Sequence, residues 1–296
     1  MTNITVLIPA RNAENTLAET LTSLADQTYK EFDILLVNDA STDNTVEVAN
    51  TFNHQLNIQL LNLDENCGVA GSLNKGLNLI NSKYIARIDA DDIANPTRLE
   101  KQYLFLESNQ RIDVCSTWME MFYDNQLQQN HILTKPTNDN SIKTALIQYC
   151  SMSHGASMFR KSFFDDIGVF DTRLDFAEDY DLWCRGALLG KCYANLPEAL
   201  TKYRIHNNQV GQQKRQLQYE RDLVIKRKYI SALLGGEESG HLAEFFHLLT
   251  MFSDKAIALQ ILQQSMGLLL KLGQKLGDEK LYAEIVSACI GRHLRT

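Results

Sequence analysis

The sequence predicts an α/β fold, and three observations point to it. Short β-rich runs alternate with helical patterns through the first hundred residues, as in strand-helix units that build a mostly parallel sheet. The stretches that follow the strands are strongly polar, and the carboxyl ends of such strands are where open α/β sheets bind ligands. After residue 212 the signals are helical only, which predicts a helical C-terminal extension.

The strands read Ile4 to Pro9, Phe32 to Val37, Ile58 to Leu61 and Tyr84 to Ile88. Between them lie a helix with Leu17, Leu21 and Leu24 in register, one starting near Asp43, and one with Val69, Leu73, Leu77 and Ile80 on a single face, the spacing of amphipathic helices. From about residue 112 the pattern loosens. Ile112 to Ser116 reads as a strand, Ser141 to Tyr149 as a helix, and Ser157 to Arg160 as a short strand before a turn at Gly168. A helix follows over Glu178 to Leu189, then brief extended pieces around Tyr193 and at Tyr203-Arg204. The tail is leucine-rich, with breaks at Gly235-Gly236, around Ser253 and at Gly273.

Composition narrows the function. The 296 residues are 44% hydrophobic and 22% charged, ordinary for a globular chain and unlike a disordered one. A net charge of −7 argues against nucleic acid as a partner. The charge is uneven: residues 1–211 hold 17 basic and 27 acidic side chains, residues 212–296 hold 12 and 9. Cysteines 67, 115, 150, 184, 192 and 289 form no C-x-x-C pair, so neither a disulfide framework nor a structural zinc is expected, and a reducing cytoplasm fits. The N-terminus runs directly into Ile4-Thr5-Val6-Leu7-Ile8-Pro9 without the marks of a signal peptide. The longest uncharged stretch of the tail, 256–270, is too short to span a bilayer. A soluble cytoplasmic protein, or one peripheral to the inner face of the cytoplasmic membrane, is expected.

The polar edge carries the candidate chemistry. After the strands come Pro9-Ala10-Arg11-Asn12, Asn38-Asp39-Ala40-Ser41-Thr42-Asp43, and Asp89-Ala90-Asp91-Asp92. Thr42 and Asp43 read best as helix caps, and Asp92 with Asn95-Pro96 as a turn. Capping does not suffice for Asp89 and Asp91. Three carboxylates within four residues beside Arg87 repel one another unless a cation or a basic partner offsets them. Hard oxygen ligands of this kind suit Mg2+ or Mn2+ bridging to substrate phosphates. No G-x-G-x-x-G follows the first strand and no P-loop is present, which disfavours a dinucleotide-dependent dehydrogenase and leaves phosphate to metal and side chains. A second acidic group, Glu178-Asp179-Tyr180-Asp181, stands at a helix start, where it can cap the helix or supply a general base.

Five motifs in order resemble family 2 glycosyltransferases of GT-A fold: residues 6–12, residues 38–43, Asn66-x-Gly68 with Asn74-x-Gly76, Arg87 to Asp92, and Glu178-Asp179. The match covers roughly residues 3–210. Within the family, the stretches around Asp89-Ala90-Asp91-Asp92, Glu178-Asp179 and 197–210 resemble bacterial lipooligosaccharide β-1,3-N-acetylglucosaminyltransferases. The resemblance implies a GT-A domain over 1–211, with a nucleotide-sugar half to about 110 and an acceptor half over 111–211, and then the helical region 212–296. It implies a UDP-sugar donor, Mn2+ or Mg2+, and inversion at the anomeric carbon. Pro9, Ala10 and Arg11 would line the uridine site with Asp39 accepting from uracil, and Asn66, Gly68 and Asn74 would belong to the donor site. Asp89 and Asp91 would bind ribose and metal-pyrophosphate beside Arg87, with Ala90 between them in the donor site. Asp91 would hold the metal, joined by His206, and Asp179 would be the general base with Glu178 as fallback. Arg11 replaces the usual Tyr and Ala40 the usual Gly of Asp-Asp-Gly-Ser.

Acceptor features are sparser. His154 and Trp118 are candidates for contacting a sugar, whereas Trp183 reads as core. Residues 202–228 hold eight Lys or Arg against Glu220 and Asp222, a basic stretch suited to anionic lipid or a lipid-linked glycan. The leucine-rich helices beyond 240 are able to pack on the body or to form a homodimer. Two rival readings remain, a nucleotidyltransferase and a non-catalytic nucleotide-sugar binder. A binder has no need of a base at Asp179.

Overall fold

The computed structural model describes residues 2–123, 130–205, 214–235, 242–244, 267–278 and 280. In chain order the first part comprises β1 (Ile4–Ala10), α1 (Leu17–Ala25), β2 (Phe32–Asn38), α2 (Thr45–Asn50), β3 (Ile58–Asn62), α3 (Gly68–Leu77), β4 (Tyr84–Arg87), β5 (Ile93–Ala94) and α4 (Arg98–Ser108). The second comprises β6 (Val114–Tyr123), β7 (His131–Leu133), α5 (Asp139–Ala145), β8 (Met158–Arg160), α6 (Lys161–Ile167), α7 (Glu178–Leu188), β9 (Tyr193–Ile205) and α8 (Arg215–Leu234). The sheet order is β3-β2-β1-β4-β8-β6-β9-β5, with β7 on β6. β3, β2, β1 and β4 are mutually parallel, and β8 then joins β4 and β6 antiparallel. This is a Rossmann-like arrangement extended by an antiparallel and mixed second part.

Burial explains the continuous apolar strands. In β1, Ile4, Val6 and Ile8 face a core built with Leu17, Leu21 and Leu24 of α1 and Leu99 and Leu106 of α4. Leu7, one residue out of step, faces the opposite core with Leu73 and Leu77 of α3 and Trp183 of α7. Both faces of a parallel sheet are covered, so both phases of the strand must be apolar. The same second core takes Ile225, Tyr229 and Ile230 of α8, each contributing about 1.5–3 kcal/mol by burial. The tail therefore packs on the body through its described part.

Several elements differ from the sequence reading. The two extended pieces near Tyr193 and Tyr203 are one strand, β9, paired in parallel with β6. Pro197 hides this locally because it offers no N–H; a register shift at Trp118 skips it, Leu196 pairing with Thr117 and Ala199 with Trp118. That bulge is the usual accommodation for proline in a strand. β6 runs to Tyr123 rather than Ser116 because β9 and β7 supply its partners. α5 starts at Asp139, with Asn138 accepting from Ser141 N at 3.0 Å, and gives way to turns after Ala145. No described helix is long and apolar enough to cross a membrane. Most of the tail beyond 240, including the segments considered for dimerisation, lies outside the described residues.

Candidate active site

The loops after β1 and β2 are laced together by short polar residues. Asp39 N donates to Ala10 O at 2.8 Å, Asn12 N to Ser41 Oγ at 3.0 Å, and Thr42 N to Asn12 Oδ1 at 2.9 Å. Asn12 and Ala40 adopt left-handed φ of 49° and 51°. At the second of these, glycine would be unstrained. Asp43 accepts from Thr45 N at 3.1 Å and from Glu14 N at 3.1 Å. Burial opposes its ionisation, but bonds from Thr45 and Glu14 outweigh it and hold the carboxyl below its usual range. Asp43 thus ties the start of α2 to the β1 loop from one residue before the N-cap, which is Asn44 rather than Asp43 and makes no side-chain capping bond. Thr42 instead serves the loop, through Asn12.

Asp39 is buried, and its two oxygens accept from Cys67 N at 2.6 Å and Gly68 N at 3.1 Å. Asn66 Oδ1 also accepts from Gly68 N at 3.1 Å. A side chain at Gly68, φ 72°, would bring its Cβ to 2.3 Å from Asp175 Oδ2. Ala10 lies buried at the end of β1, after Pro9, and Arg11 is exposed at the rim. Asn74 departs from the expected donor role. Placed well inside α3, its amide donates to Phe170 O at 2.8 Å and accepts from Phe170 N at 2.9 Å. It is consumed in tying α3 to the segment that follows α6.

After β4 the acidic triad converges. One carboxylate oxygen each from Asp89, Asp91 and Asp92 lies within 4.8 Å of the others. Asp89 pairs with buried Arg87. Asp92 does more than the turn expected from the sequence. It is 0% exposed, accepts from Arg204 N at 3.1 Å through Oδ1, and keeps Oδ2 buried with no hydrogen-bond partner. Burial and the neighbouring charges of Asp89 and Asp91 push its pKa well up. The Arg204 backbone N–H offsets part of this, and its side chain holds the loop, Nε donating to Asp91 O at 2.9 Å while the guanidinium pairs with Glu19. Ala90 O is taken by Thr16 Oγ1 at 3.0 Å. Hard oxygen donors with an orphaned carboxylate oxygen among them fit a divalent cation.

The start of α7 faces this cluster across the Gly155 backbone. A Cβ at Gly155 would meet Arg87 Nη1 at 2.8 Å, Asp89 Oδ2 at 3.0 Å and Asp92 Oδ2 at 3.1 Å, so any larger residue must push these charged side chains aside. Beside it His154 is buried among Phe170, Trp183 and Phe159, with Nδ1 4.0 Å from Glu178 Oε1. Burial and Arg87 push His154 well below its usual pKa, so it is neutral near pH 7. Its interior position suits a core residue better than a sugar contact. Glu178 is buried and pushed up to about 8, first by burial and then by the Asp179 charge. Asp179 is half-buried; Cys150 Sγ approaches its Oδ2 at 3.5 Å and Tyr180 N its Oδ1 at 2.7 Å. Trp183 is core, as expected. Trp118, half-buried at the β6 bulge, donates Nε1 to Lys135 O at 2.9 Å. His206 lies outside the described residues.

The sequence profile described as Glycosyl transferase family 2 matches residues 5–168. The chain belongs to this family. An uncharacterized glycosyltransferase of Haemophilus influenzae is 33% identical to this family 2 chain over 240 residues, covering 78% of it and 74% of the relative. The amylovoran biosynthesis glycosyltransferase AmsE of Erwinia amylovora is 31% identical, covering 71% and 79%. Among solved structures, S. aureus TarS 1–349 in complex with UDP-GlcNAc shares the fold, with a TM-score of 0.67, 19% identity, and coverage of 97% of this chain and 87% of that one. The family 2 chain spans 50% of a longer TarS chain.

Sequence reasoning missed three contributors to this glycosyltransferase's candidate site, Arg204, Cys150 and Gly155, and counted Asp92 among the clustered carboxylates without giving it a role beyond a turn. Of the three, only Gly155 had a local signal, a glycine directly beside a candidate residue in Ser153-His154-Gly155-Ala156. Of the eight basic residues over 202–228, Arg204 and Lys226 are interior, so the stretch is less basic on its surface than its composition implies.

Proposed function

We propose that the chain is an inverting, metal-dependent transferase that moves a sugar, N-acetylglucosamine by preference, from a UDP-sugar to a hydroxyl of a lipooligosaccharide or other cell-surface glycan. The observation that carries this reading is the convergence of the Asp89, Asp91 and Asp92 oxygens after β4, near enough to Asp179 to share its charge: Asp89 is pushed up first by burial, with Asp179 among the charges adding to it. The UDP-GlcNAc complex of a fold neighbour and the amylovoran biosynthesis name of a relative support donor and acceptor class respectively. On this reading 1–211 is the transferase domain, split near 110, and 212–296 a helical extension.

Mn2+ or Mg2+ held by Asp91 with its neighbours, His206 among them, would supply Lewis-acid stabilisation of the diphosphate leaving group. The chain's residues do the rest. Asp39 and the Cys67-Gly68 backbone shape the base-binding corner beside Pro9, Ala10, Arg11 and Asn66. Arg87 steadies Asp89. Asp179 accepts the proton of the acceptor hydroxyl as that oxygen attacks the anomeric carbon opposite the departing UDP, which inverts configuration. Glu178 is the poorer base, since burial keeps it protonated near neutral pH and turns it toward His154.

Thermal unfolding tests the donor site, because a ligand of the folded state raises apparent stability by mass action. UDP with Mn2+ should raise the midpoint and Asp91→Ala should abolish the rise; no shift at saturating UDP and Mn2+ would sink the UDP assignment. Peripheral association with an anionic membrane would rest on exposed Lys202, Lys214, Arg227 and Lys228. Failure to co-sediment with anionic liposomes at low salt would exclude it.

A further inference from the structure

The helix α8 lies outside the residues matched by the family profile, yet it reaches the turn from which α7 departs. Phe176 takes φ 78° there, a conformation that is a genuine outlier for a bulky L-residue and persists only when its surroundings enforce it. Two α8 side chains close on it. Gln218 Nε2 donates to Phe176 O at 2.9 Å, and the Arg221 guanidinium lies 5.3 Å from the Phe176 ring centroid.

Both flanks of Phe176 touch the candidate site. On one side Asp175 accepts from Ala70 N at 3.3 Å and abuts Gly68, whose N–H meets Asp39. On the other, Ala177 leads directly into Glu178 and Asp179. A rotation at Phe176 would therefore move the proposed base relative to the donor corner. A hydrogen bond and a cation-π contact are together of the same order as the strain of one left-handed residue, so their loss should release the turn.

We propose that α8 clamps the left-handed Phe176 turn, with Gln218 and Arg221 as positioning residues that hold Asp179 in register with the donor site. This rests on the reading of Asp179 as the base. The tail then completes the transferase site as well as covering its core.

The test uses the full chain. Gln218→Met removes the donor at nearly constant volume, and Arg221→Lys keeps the charge but loses the planar face. Three quantities are read: amide exchange over residues 175–181, affinity for UDP with Mn2+, and UDP release from UDP-GlcNAc. Gln218→Met should accelerate exchange about tenfold and lower kcat for UDP release about tenfold, with UDP affinity unchanged and the melting midpoint lowered by only a few degrees. Arg221→Lys should act in the same direction, more weakly. In a Phe176→Gly background the Gln218→Met effect on exchange should largely vanish, since glycine adopts this φ freely. Unchanged exchange in Gln218→Met, or an equal effect in both backgrounds, would overturn the clamp. Asp179→Asn serves as the separate control: wild-type UDP release there would reject the base assignment, while the exchange data would still judge the clamp.

Discussion

Two acidic regions at the polar edge of the sheet are held in opposite ways. Along the β1–β2 edge, Asp39 and Asp43 meet backbone N–H groups through both carboxylate oxygens. Between β4 and α7, Asp92 Oδ2, Arg87 Nε, His154 Nε2 and Glu178 Oε2 are buried without any hydrogen-bond partner. The first region is a finished scaffold whose loops are set before a ligand arrives. The second concentrates unmet polar groups, which folded proteins otherwise avoid, and it is there that a cation and a reacting sugar would find uncommitted partners.

The sharpest way to break this comparison is Asp179→Asn. If the second region does the chemistry, transfer should fall about 10²–10⁴-fold with the UDP and Mn2+ response of the melting curve retained. Unchanged UDP release would move the reaction elsewhere. Next is Asp92→Asn, which keeps an oxygen for Arg204 N but removes the charge. The metal-free protein should melt higher, and the Mn2+-dependent gain in the presence of UDP, about 2.7 kcal/mol at a hundredfold excess over Kd, should disappear in calorimetry.

Glu178 sharpens the contrast through pH. Its folded pKa of about 8 lies above its ordinary value of 4.5, so between these values the folded state binds more protons than the unfolded one. Its contribution to stability is complete below about pH 4.5 and is lost as pH rises through 8. Urea unfolding should show Glu178→Gln gaining about 2–4 kcal/mol on the wild type between pH 5 and 9; parallel pH profiles would reject the buried, protonated state. Gly155→Ala comes next, costing about 1–3 kcal/mol because its Cβ would press on the Arg87, Asp89 and Asp92 side chains. The smallest effect is in the scaffold: Ala40→Gly should stabilise by about 0.5–1 kcal/mol by relieving a φ of 51°, and a loss there would mean the loop is not strained.

Much of the fold was legible because its signals are local. The first four strands lie within one or two residues of their expected ends, since an apolar run followed by polar turn residues marks a strand wherever it lies. β9 was not legible. Pro197 interrupts the pattern, and only pairing with β6 across a bulge restores a single strand. In the candidate site, the Asp89-Ala90-Asp91-Asp92 and Glu178-Asp179 motifs stood out by residue type and order. Their allotment to separate tasks did not, because Asp92, treated as a turn residue, and Asn74, treated as a donor contact, exchange exposure for burial and bridging only in the folded chain.

The sequence by itself determined the alternation of strands and helices, the polar carboxyl edge and the family, because periodicity and motif order are properties of neighbouring residues. The tertiary structure decided which polar groups are spent and which are left open. Asp92 meets Arg204 across 112 residues and Asn74 meets Phe170 across 96. Such partners are chosen by the order of strands in the sheet, and no local spacing encodes that order.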